Sequence, residues 1–103
     1  MNEIDEMLSL YGLSEKRSIL RLLDDFQDEA EIKEYCWKVL RTYPDLKKEA
    51  WLIGLEGGDY IYSFEGHYVF ITDDIWSFNL IAMKPVLKLL VEKIKALKAS
   101  GEW

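Results

Sequence analysis

The chain has 103 residues, half of them apolar and 31% charged, with a formal net charge of −6. That is the size and balance of one folded domain, too apolar for a disordered tail and long enough to bury a core. A single cysteine, Cys36, excludes an internal disulfide and a cysteine-based zinc set.

The first helical signal is at residues 2–11, where Ile4, Met7, Leu8 and Tyr11 share one face and Glu3, Asp5 and Glu6 suit a helix N-terminus. Gly12 closes it. Ser14 is a good N-cap for a second helix over 14–26, with Ile19, Leu20, Leu22, Leu23 and Phe26 as a wide apolar face. Asp28 followed by Glu31 resembles a capping box and predicts a third helix over 28–43. Its stripe is Ile32, Tyr35, Cys36, Val39, Leu40 and Tyr43, with Trp37 off the stripe beside Lys33 and Arg41. Pro44 stops it.

Three strands are expected next, at 51–56, 60–64 and 67–72, rich in aromatic and β-branched residues. Gly57-Gly58-Asp59 and Glu65-Gly66 read as the hairpin turns between them. Alternation puts Trp51, Ile53 and Leu55 on one face of the first strand and Leu52 on the other. Neither face of the sheet is cleanly polar, so both need cover. Residues 72–79 read as a loop carrying Trp76 and Phe78. A last helix is expected over 84–99, with Pro85 in its first turn and Leu87, Leu90, Val91, Ile94 and Leu97 as its stripe. The fold class is α+β in a single domain over 1–103: N-terminal helices, a three-stranded antiparallel meander, and a C-terminal amphipathic helix packed on the sheet.

Charge is unevenly distributed. Residues 1–75 hold 17 acidic and 8 basic side chains, residues 76–103 only 2 acidic and 5 basic. Acidity argues against general nucleic-acid binding, which is driven by phosphate neutralisation. It solubilises the chain, or it docks onto a basic partner. The N-terminus lacks a secretory pattern and no apolar run approaches the ~20 residues of a membrane span, so a cytoplasmic location without a membrane span is expected.

No residue set announces a reaction. His67, the only histidine, sits at a hairpin turn without a second histidine to form a metal or acid–base pair. Cys36 lies on an apolar stripe with nothing nearby in sequence to activate it. Asp24-Asp25 and Asp73-Asp74 lack the spacing of a calcium loop. Gly57-Gly58 lacks the ending of a phosphate loop. Three helices before a hairpin also suggest a winged helix-turn-helix, but the third helix opens Asp28-Glu29-Ala30-Glu31 where that fold wants cations. Neither an enzyme nor a cofactor or metal site is expected.

Interaction features are stronger. Four tryptophans and six tyrosines are the residue types that enrich interface centres. The interface candidates are Trp37, Tyr43, Trp76, Phe78, Lys84, Lys88 and Trp103. A protein partner is expected, possible forms including a homodimer.

Residues 50–97 carry a family pattern in Trp51-Leu-Ile-Gly-Leu-Glu-Gly-Gly-Asp-Tyr-Ile-Tyr, His67-Tyr-Val-Phe-Ile-Thr-Asp-Asp, Asn79-Leu80-Ile81 and the helix to Leu97. This order of strand, turn, strand, turn, strand, Asn-Leu loop and helix resembles the C-terminal half of a roadblock (dynein light-chain-type) domain. Residues 1–27 offer no counterpart to that family's first hairpin, and Ile81 stands where its glycine is usual. The resemblance implies a non-catalytic module that pairs through sheet and helix and associates with small GTPases or motor and membrane-traffic complexes. The competing expectation is a small acidic inhibitor or immunity protein, viral or host-encoded, that blocks a basic effector such as a nuclease.

Overall fold

A computed structural model describes residues 3–13, 17–23, 26, 28–55, 57–75 and 77–101. The order is α1 (Glu3–Leu10), β1 (Arg17–Ser18), a 3₁₀ turn (Ile19–Leu22), α2 (Glu29–Leu40), β2 (Lys47–Ile53), β3 (Gly57–Phe64), β4 (His67–Asp74), β5 (Phe78–Ala82) and α3 (Lys84–Ser100). The α+β class holds. The sheet is an antiparallel meander of four strands where three were expected, extended by the two-residue β1, in the order β1-β5-β4-β3-β2.

The departures have physical causes. The second helix expected over 14–26 is, in its described part, a strand pair and a 3₁₀ turn. Arg17 and Ser18 pair with Ala82 and Ile81, so an edge of the sheet claims the backbone that local propensity assigned to a helix. Ser18 then caps the turn by accepting from the Leu20 N–H at 3.2 Å. The loop expected over 72–79 is shorter. The Asp74 carboxylate accepts from the Ser77 N–H at 2.7 Å, an Asx-type turn that returns the chain directly into β5. Within β5, Phe78, Leu80 and Ala82 are buried on one face, and five residues were too few to show a period beside the following helix.

The first strand begins and ends earlier than expected. Lys47-Lys48-Glu49 belong to β2, which tolerates charge because it is a sheet edge. Gly57-Gly58 form the start of β3 and not a turn. A Cβ on Gly57 would lie 2.4 Å from the Asp73 carbonyl oxygen, so glycine is required for β4 to approach. The turn at Glu65-Gly66 is as expected. Both residues have positive φ, 49° and 80°, as a two-residue hairpin with the sheet's twist requires.

The sheet is covered on both faces. On one, Phe64, Val69, Ile71, Phe78, Leu80 and Ala82 meet α2 through Ile32, Cys36, Val39 and Leu40, and α3 through Val86, Leu87, Leu90 and Ile94. Of the capping box expected at Asp28, the cap half is present: its carboxylate accepts from the Glu31 N–H at 2.9 Å. Glu31 itself reaches across to Lys98 at 2.6 Å, tying α2 to the end of α3. On the opposite face, Met7, Leu8 and Leu13 cover Ile61 and Phe70, with Leu52 and Ile81 at the margin. Tyr11 adds a tilted ring contact to Tyr68 at 5.0 Å. A short amphipathic helix thus supplies the second cover that a two-sided apolar sheet demands. No helix among the described residues is long and apolar enough to cross a membrane.

Candidate interaction surface

The cover reaches β2 only on the α1 face, through Ala50 and Leu52, and leaves Trp51 and Ile53 open. Among the described residues this strand pairs with β3 on one side only, Trp51 opposite Tyr60 and Ile53 opposite Gly58. The Gly54 N–H donates to the Gly57 carbonyl at 2.8 Å, which sets the phase of the ladder. Antiparallel pairs alternate between bonded and non-bonded, so Trp51 and Ile53 turn their own N–H and C=O groups to the free edge. Their side chains are exposed as well, Trp51 to 54% and Ile53 to 67%. Leu55 and Ile75 are exposed at the same end of the sheet. The register Gly57 opposite Asp74 brings those two turns side by side.

From this edge a strip of aromatic and cationic groups runs back to α2. Lys48 Nζ lies 5.3 Å from the Trp51 ring and 5.4 Å from Tyr60. Tyr60 and Tyr62 follow at 6.1 Å, then Tyr62 and Trp37 edge-on at 5.3 Å. The Arg41 guanidinium closes the strip 5.8 Å from Trp37. Alternation along β3 sets Tyr60 and Tyr62 on one face, and α2 presents Trp37 above them. The strip is anchored beneath. The Trp37 indole N–H donates to Asp73 at 3.2 Å, and Asp73 also pairs with Lys33. The Tyr62 hydroxyl is pushed up from its ordinary pKa by burial first, then by Tyr60 and Asp73, so it stays a neutral donor. The result is a fixed row of half-exposed rings with Lys48 and Arg41 exposed, the composition of an interface centre.

The expected site residues divide. Trp37 belongs to the strip. Tyr43 and Phe78 are corrections, being 5% and 2% exposed. Tyr43 stacks on Phe64 at 4.4 Å and Phe78 fills the face under α2, so both serve the core. Lys84 and Lys88 are exposed on α3, away from the strip. Trp76 and Trp103 lie outside the described residues. The residues missed are Trp51, Ile53, Tyr60 and Lys48. The signal that could have found them is Lys47-Lys48 immediately before an apolar run, the mark of an edge strand guarded at one end.

Cys36 is 1% exposed, and burial pushes its thiol up to about 12, which leaves it protonated and unreactive. His67 packs its ring edge-on to Phe64 at 5.7 Å. Among the described residues, no three His, Cys, Asp or Glu side chains converge as a metal site would need. No protein-family model, no curated protein and no solved structure matches this chain.

Proposed function

We propose that the chain is a non-catalytic protein-interaction module that self-associates through the β2 edge and the aromatic strip beside it. The observation that carries this reading is the coincidence, at Trp51 and Ile53, of unpaired backbone groups with exposed apolar side chains. An edge of this kind pairs with another strand or aggregates. A second copy fits by symmetry. A two-fold axis through Leu52 sets Trp51 opposite Ile53 of the second copy and the reverse, so every outward N–H and C=O of the two residues finds a mate. The axis stands perpendicular to the sheet, so the two strips join on one face. Lys47, Lys48 and the irregular register between Lys48 and Ala50 guard the other half of the strand and limit the pairing to its apolar half.

The roadblock-like reading would add a GTPase-type or regulatory partner for the dimer. The meander followed by a helix supports it, and Asn79-Leu80 counts against it, because that step lies in β5 and not in a loop. The acidic-inhibitor reading rests on the charge of residues 1–75 and predicts a monomer with a salt-sensitive partner. Light scattering on a sizing column at low and high salt separates the two. Self-association through apolar edge contacts gives a dimer at both salts, and a monomer at both overturns the proposal.

A further inference from the structure

On the β1 side of the sheet, the 3₁₀ turn and α3 enclose a groove of about 390 Å³. That is within the range of small-ligand sites, and its make-up is theirs too, an apolar wall with a few polar groups at the rim. Leu22, Leu87 and Val91 form the wall. Arg21, Lys84 and Lys88 stand at the rim, all exposed. None of the three has an ion-pair partner among the described residues, whereas Lys33, Lys47 and Lys98 are paired with Asp73, Glu49 and Glu31. Three cations without an ion pair among the described residues gather around this one apolar groove, on a chain of net charge −6.

We propose that this groove binds a free organic monoanion with an apolar body, of the medium-chain carboxylate class. Lys84, Lys88 and Arg21 meet its acid group, and Leu22, Leu87 and Val91 line its tail. The polarity of the groove fixes the direction. Lys84 opens α3, whose first turn holds no acidic residue, so the positive end of the helix dipole reinforces the lysines. Glu92 lines the far end. Eight residues of helix separate the two, about 12 Å at 1.5 Å per residue. An acid group is therefore drawn to one end and repelled from the other. The source is a soluble acid and not a membrane surface. The Leu87 part of the wall is recessed, at 2% exposed, where a single acyl tail enters and a bilayer surface does not.

The test is an amide-resolved NMR titration of the full chain with sodium decanoate below its micellar range. Decyltrimethylammonium, with the same tail and opposite charge, and phosphatidylglycerol vesicles are run beside it. Saturable shifts confined to residues 18–22 and 84–92 are expected with decanoate alone. The double variant Lys84→Glu/Lys88→Glu should weaken binding about ten-fold. Far-ultraviolet circular dichroism and a urea midpoint on the same variant separate loss of binding from loss of fold. Leu22→Glu, at a site 44% exposed, should weaken it through the wall. Absence of saturable shifts overturns the proposal. So does equal binding of the cationic amphiphile, indifference to the double charge reversal, or a response to vesicles without one to decanoate.

Discussion

Replacing Leu8 by Ala tests whether α1 is a structural cover for the sheet. Leu8 is 3% exposed and packs with Met7 and Leu13 over Ile61 and Phe70. Two residues on, Leu10 is 82% exposed on the same helix. The two substitutions delete the same atoms and both lie in the last turn of α1, where the propensity change is a few tenths of a kcal/mol, so their difference is dominated by burial. Leu-to-Ala at a buried site costs about 2–5 kcal/mol, and a short peripheral helix that relaxes toward the sheet puts Leu8→Ala near the lower end, about 2–3 kcal/mol. Leu10→Ala should stay within about 0.5 kcal/mol of wild type. In a urea titration, with a slope of about 2 kcal/mol/M for a domain of this size, the midpoint should fall by roughly 1–1.5 M for Leu8→Ala. It should barely move for Leu10→Ala. Equal shifts, or a Leu8→Ala loss under about 1 kcal/mol, would show that α1 does not cover that face.

Two further predictions concern backbone and thiol. Gly57→Ala would set a methyl 2.4 Å from the Asp73 carbonyl oxygen at φ +150°, and should cost more than about 3 kcal/mol. Gly66→Ala, at φ +80° with open space around the new methyl, should cost only about 1–2 kcal/mol; equal urea midpoints for the two variants would refute the close approach of β4. The Cys36 thiol, buried and pushed up to about 12, should resist a disulfide reagent at pH 8 in the folded chain and react at once in denaturant. Prompt reaction in the folded chain would place α2 wrongly on the sheet.

The helical part of the fold was legible where period, cap and stop agreed. The stripe of α2, its Asp28 cap and the Pro85 start of α3 all follow from the residues that carry them. The Glu65-Gly66 hairpin was equally plain. What was not legible depended on partners distant in the chain. Arg17-Ser18 pair with Ala82 and Ile81 across most of the sequence, and no local pattern announces that. Gly57-Gly58 resembled a turn because glycine serves both turns and close strand approach, and only the neighbouring strand distinguishes them. The candidate surface suffered similarly. Tyr43 and Trp51 are both large aromatics beside a lysine-containing segment, yet one is stacked on Phe64 in the core and the other stands at an open edge. Strand order, not composition, decides which.

The central claim, that the apolar half of β2 is where this protein meets a second copy, is tested most directly by comparing the solution mass of wild type and Trp51→Lys. Trp51 is 54% exposed, so the substitution should leave the fold intact, as far-ultraviolet circular dichroism would verify. Wild type should scatter as a dimer of about twice the 12.1 kDa chain at both low and high salt, and Trp51→Lys as a monomer. A wild-type monomer, or a dimer that Trp51→Lys leaves unchanged, would contradict the account.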